Sequence, residues 1–154
     1  MEKNSNEKEL KTGVQEFMEQ RSKYEPLRLN RFLVRTPKEA CIIPWTIQRV
    51  RVTPSQIRIV VTCTLGGMST RQEFIDYGCK FNDLTVNERI IVIEDLDAVG
   101  NVFVRATYTD CYFDHDRMYD TIQYDYANSE CKTYEIVFTY DCKYEEKVGD
   151  VPQF

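Results

Sequence analysis

The side chains able to do chemistry fall into a few clusters along the chain. Asp110, Asp114, His115, Asp116 and Asp120 crowd one short segment. Clustered carboxylates hold hard cations, but a calcium loop also needs fixed acidic spacing, a central glycine and a distal glutamate, and that pattern does not occur here. The expectation is a solvated acidic hairpin tip, with the charge of His115 responsive to its acidic neighbours near neutral pH. Glu94, Asp95 and Asp97 form a second group. Paired carboxylates do acid–base work when one is buried and its pKa is raised. Placed just before Gly100, these three read as turn residues instead. Cys41, Cys63, Cys79, Cys111, Cys131 and Cys142 show no Cys-x-x-Cys spacing, and the chain holds a single histidine. Zinc sites need closely spaced thiolate or imidazole pairs, so no zinc module is expected. The thiols are read as free, with Cys63, Cys111 and Cys142 as small buried hydrophobes inside strands. Cysteine–histidine catalysis would need His115 beside a thiol, and an extended strand end carries Cys111 away from it. No phosphate loop, nucleophile elbow or His-Glu-x-x-His motif occurs. Catalytic residues, metal ligands and cofactors are therefore all expected to be none.

Tyrosine is the unusual component, with ten in 154 residues. Tyr108, Tyr112, Tyr124, Tyr126, Tyr134 and Tyr140, with Phe138 and Trp45, are the candidate binding residues. Tyrosine gives large contact area at low entropic cost, which suits a protein interface or a pocket lining. Cross-strand aromatic pairing accounts for part of the same pattern. Whether these rings point inward or outward decides between the functional readings.

The elements that must position them follow from periodicity. Leu10, Val14, Phe17 and Met18 share one helical face, and Asn6 with Glu9 supplies a capping-box-like start, which predicts a helix over 7–23. Pro37 could open a short second helix capped by Thr36 and stopped by Pro44, with Trp45 next as a core anchor. From Ile47 the period falls to two. Strands are expected over 48–53 and 56–64, with Ile57, Ile59, Val61 and Cys63 on one face. Ser69 and Gln72 start a short helix that Gly78 ends. A meander of four strands follows, over 88–96, 102–113, 121–126 and 132–145, with a hairpin turn at Val99-Gly-Asn101. The last strand would run roughly 40 Å, so a curved sheet is expected.

Composition sets the outer bounds. With 42% hydrophobic and 29% charged residues, the chain reads as one globular domain over 7–146, flanked by polar ends at 1–6 and 147–154. No run of 18 apolar residues exists, and no apolar leader opens the sequence. A cytoplasmic or nuclear protein is expected, not a secreted one. The net charge of −5 is uneven: residues 1–71 carry thirteen Lys and Arg against seven Asp and Glu, whereas residues 72–154 carry seven against eighteen. Nucleic acid is not an expected partner, since only the first half is basic. The acidic half would attract a basic peptide, or the basic half of a second copy.

The order of helix, strands, short helix and closing meander, with the segment Val52-Thr-Pro-Ser to Gly67 and the helix Thr70-Arg-Gln-Glu-Phe-Ile, resembles the nuclear transport factor two-like superfamily, which includes ketosteroid isomerase. The resemblance implies an α+β fold: an N-terminal helix on a strongly curved, cone-like antiparallel sheet, a short mid-chain helix and a C-terminal four-strand meander. It also implies a pocket that takes a small apolar ligand, and homodimers formed through the outer sheet face. Separately, Phe74-Ile-Asp-Tyr-Gly78 and Gln123-Tyr-Asp-Tyr-Ala-Asn128 are similar to Tudor-domain strands, which hold methylated side chains in aromatic cages. The functional expectation is a non-enzymatic, self-associating or protein-binding domain. The alternatives are an isomerase- or dehydratase-type enzyme on the same fold, and a Tudor-like reader of methylated peptides.

Overall fold

The computed structural model describes residues 13–16, 25–118 and 122–149. Residues 13–16 are helical, and the rest of the helix expected over 7–23 lies outside the described residues. The fold is α+β, with two four-stranded antiparallel sheets. The first sheet has the order β1 (Phe32–Arg35), β4 (Ile91–Leu96), β5 (Val102–Thr109), β8 (Cys142–Lys147). The second has the order β2 (Ile47–Val52), β3 (Gln56–Thr62), β7 (Thr133–Thr139), β6 (Tyr112–Phe113).

The two expected long strands are each broken once, and the breaks coincide. The strand expected over 102–113 divides into β5 and β6, and the one expected over 132–145 divides into β7 and β8. The register is continuous across the break: Thr109 faces Cys142 and Tyr112 faces Thr139. A single antiparallel ribbon therefore folds at one corner and enters both sheets, as strands do when they change sheet through a bend. Asp110 sits at the corner with φ of 53°. Aspartate tolerates that left-handed conformation better than most residues. Beyond it, the Cys111 N–H donates to the Arg89 carbonyl at 3.1 Å. Sequence alternation runs through the corner without a signal, because a bend does not alter which residues share a face.

The expected strand over 121–126 is absent: residues 122–132 carry no regular structure and are largely exposed. The expected helix at Pro37 is only a 3-10 turn over Lys38–Ala40. Thr36 does not cap it; its hydroxyl accepts from the Ile42 N–H at 2.7 Å. The hairpin at Gly100 forms as expected. Gly100 has φ of +89°, and Asp97 Oδ1 accepts from the Val99 and Asn101 N–H groups at 3.0 and 2.8 Å.

Helix α1 (Arg71–Asn82), the longest among the described residues, packs on the second sheet. Its cap is one residue later than the sequence indicated. Thr70 Oγ1 accepts from the Glu73 N–H, and Glu73 Oε1 accepts from the Ser69 and Thr70 hydroxyls. Gly78 does not end the helix. It lies in its interior, where the Phe113 ring sits so close that a Cβ at Gly78 would fall 2.3 Å from it. Phe74 stacks on Tyr134 at 5.0 Å, and Phe81 on Phe138 at 4.8 Å. Ile57, Ile59 and Val61 share the buried face, as their alternation requires, and Val34, Ile91 and Tyr108 extend the same core from the first sheet. Trp45 is not a core anchor: it is 84% exposed, because Ile42, Thr46 and Ile47 around it take the inward positions.

Candidate functional site

The tyrosine cluster does not exist as one surface. Tyr108, Tyr134 and Phe138 are buried. Tyr108 stacks edge-on against Tyr140 at 4.8 Å, and the Tyr140 hydroxyl donates to the Thr53 carbonyl at 2.7 Å. These four hold the core together. Tyr112 is half-exposed on β6. Tyr124 and Tyr126 stand in solvent on the segment after the acidic turn, and Trp45 is exposed between β1 and β2. Alternation could not separate these groups, since it says which residues share a face and not what covers that face. Phe74 to Gly78 lies in α1 with Phe74 wholly buried, so this segment presents no strand-borne aromatic cage.

The cysteines are all free. Cys111 is buried as expected, and burial pushes its thiol up to about 11. Cys63 is half-buried, with its thiol raised for the same reason. Cys142 is exposed, contrary to expectation, because β8 is largely uncovered on both of its faces. His115 does approach a thiol, but that of Cys79, at 4.0 Å. The pair is not set up for nucleophilic catalysis: the imidazole Nδ1 has no hydrogen-bond partner to orient the ring toward the thiol. Among the described residues, no group of three or more His, Cys, Asp or Glu could hold a metal ion.

A cleft of about 1100 Å³ opens between the sheets, lined by Phe32, Ile93 and Tyr108 from one and Arg58, Val60 and Glu135 from the other. Asp95 lies in its wall. Burial first, and then Glu145, raise its carboxyl above the ordinary range, while Lys143 acts in the opposite direction.

The feature that sequence reasoning missed lies on the other face of the first sheet. Glu94, expected in a turn, is in mid-β4 and wholly buried. Its Oε1 accepts from Arg35 Nε at 2.6 Å and its Oε2 from Arg105 Nε at 2.9 Å. Charged hydrogen bonds to both oxygens offset the cost of burying the carboxylate. Arg105 Nη1 lies 3.8 Å from Glu146 on β8. A row of alternating charge thus crosses the sheet from edge to edge: Arg35 on β1, Glu94 on β4, Arg105 on β5, Glu146 on β8. Only the odd–even parity shared by Glu94 and Val92 hinted that this carboxylate sits on a strand face.

Among the described residues, β1 and β8 are free edges of the first sheet. The ladder alternates from the Val148 N–H to Phe103 carbonyl bond, so Lys143, Glu145 and Lys147 aim their backbone groups outward. The Leu96 N–H to Arg31 carbonyl bond likewise leaves the backbone groups of Phe32 and Val34 aimed away from β4, toward the open edge. No helix among the described residues is long and apolar enough to cross a membrane.

No protein-family model matches this sequence, and no curated protein matches it. Solved structures do share the fold, among them chains of contractile injection assemblies. A chain of the PVC sheath–tube complex of an extracellular contractile injection system, in the extended state, superposes with a TM-score of 0.58 at 14% identity, covering 84% of this chain and 97% of that one. A chain of the sheath/tube terminator of the same system gives 0.54 at 12% identity, covering 79% and 96%. A chain of the anti-feeding prophage cap, which terminates a tube, gives 0.53 at 14% identity, covering 80% and 92%. At these identities the likeness is one of fold.

Proposed function

We propose that this chain is a non-enzymatic structural subunit that associates with copies of itself, and with other proteins, in a tube-like assembly. The observation that carries the reading is the fold shared over nearly the whole length of the tube-complex and tube-terminating chains. The two free edges of the first sheet supply a physical route. Four antiparallel strands leave β1 and β8 running in opposite directions at opposite ends. A second copy in the same orientation can therefore set its β1 beside β8 and continue the antiparallel order. Such a head-to-tail contact forms a ring where the rotation from copy to copy closes, and a helical filament where it does not.

Native mass spectrometry with negative-stain microscopy tests this. Rings or stacks are expected from the wild-type chain, and Glu145→Pro is expected to abolish them. Proline there removes an outward N–H while sparing the β5–β8 ladder, so the variant stays folded. A wild-type chain that is monomeric at every concentration overturns the reading. A second reading, an acid–base enzyme of isomerase or dehydratase type in keeping with the nuclear transport factor two-like resemblance, is favoured by the cleft and by the raised carboxyl of Asp95. Turnover or a tightly held small molecule in the purified protein would promote it.

A further inference from the structure

We infer that the charge row across the first sheet sets the register of the copy-to-copy contact, with Glu146 of one copy paired to Arg35 of the next. The inference rests on the reading of the chain as a self-associating subunit. Within one copy the row runs plus, minus, plus, minus from β1 to β8. It therefore ends in unlike charges at its two open edges, and a further copy in the same orientation continues the alternation. Arg35 is 60% exposed and Glu146 is 40% exposed along the side chain, so both can reach a neighbour without first being uncovered.

The backbone permits that register. Placing Arg35 opposite Glu146 puts Val34 opposite Lys147, and both of these residues aim their backbone groups outward. It also brings Leu33 opposite Val148, two apolar side chains. Shifting by two residues keeps the hydrogen bonds but sets Leu33 against Glu146, which loses the Leu33–Val148 match and leaves Arg35 diagonal to Glu146, the offset at which it reaches Glu94 within one copy, rather than directly opposite it. Residues directly opposite at a non-hydrogen-bonded position bring their side chains closest, and unlike charges there stabilise the pairing while like charges oppose it.

Arg35 and Glu146 of one copy are separated by β4 and β5, three strand spacings of about 4.8 Å each, so they do not touch within it. A double-mutant cycle separates the two situations. Glu146→Gln, Arg35→Gln and the double variant are made in the full chain. Assembly is followed by sedimentation velocity across concentration and salt, and the stability of the dissociated chain by urea unfolding. Each single change is expected to weaken copy–copy affinity about 2- to 5-fold, as for a partly exposed ion pair. The double variant is expected to be no weaker than the worse single one, and high salt to shrink every difference. In the dissociated chain the same changes should act additively. If the wild-type chain assembles but the two effects multiply, the register inference is overturned and the assembly reading stands. If the wild-type chain does not assemble, both fall.

Discussion

Replacing Gly78 by alanine sets two rules against each other. Alanine is favoured over glycine in a helix interior by about 1 kcal/mol, so helix propensity alone makes the change stabilising. The packing argues the opposite. A Cβ at that position would lie 2.3, 2.5 and 2.7 Å from three atoms of the Phe113 ring. Ordinary carbon contacts begin near about 3.5 Å, so the ring must retreat by about 1 Å. It has little room: Phe138 and Tyr77 stack edge-on against it at 5.4 and 6.2 Å. Its backbone is held as well, because Asn82 accepts from the Phe113 N–H at 2.8 Å and donates to the Phe113 carbonyl at 3.0 Å. Overpacking a filled core costs about 1–3 kcal/mol, and a pinned ring belongs at the upper end. Net destabilisation of about 1–2 kcal/mol is expected, lowering Tm by about 2–8 °C in a chain of this size. Urea unfolding followed by far-ultraviolet circular dichroism measures it. In the Phe113→Leu background, where the ring is gone, the alanine penalty should largely vanish. An alanine variant as stable as the wild type, or more so, refutes the steric reasoning.

Three further outcomes are expected. Glu94→Gln keeps the side-chain shape but turns an amide N–H₂ toward one of two arginines; unfolding should show a loss of about 2 kcal/mol, less than for a sealed ion pair because Arg35 and Arg105 can regain water. Asp95→Asn should raise Tm at neutral pH and have no effect well below the usual carboxylate range. Its folded pKa lies above the unfolded one, so the folded state holds the proton more tightly and stability falls as pH rises between the two values. A thiol reagent on the native protein should label Cys41, Cys79, Cys131 and Cys142 promptly, Cys63 slowly and Cys111 only after unfolding, as time-resolved peptide mass spectrometry would show.

Local pattern determined much of this molecule. The alternation of Ile57, Ile59 and Val61, the turn at Gly100 and the capping residues before α1 all act within a few positions of one another, and the structure contains them. The α+β class with an antiparallel sheet was what the resemblance in element order implied, and the structure has both. What the tertiary structure alone decided is what lies opposite each face. The corner at Asp110 sends one ribbon into two sheets, because its bend conserves side-chain parity and leaves no mark in the sequence. Gly78 looked like a helix stop because a glycine that makes room for a distant ring is indistinguishable, along the chain, from one that ends a helix. Glu94 looked like a turn residue because its arginines come from strands 59 residues before it and 11 after it. The tyrosines divided between core and solvent for the same reason. Periodicity ranks residues by face, and only the packing of one element on another decides which face is covered and which edge stays open for a partner.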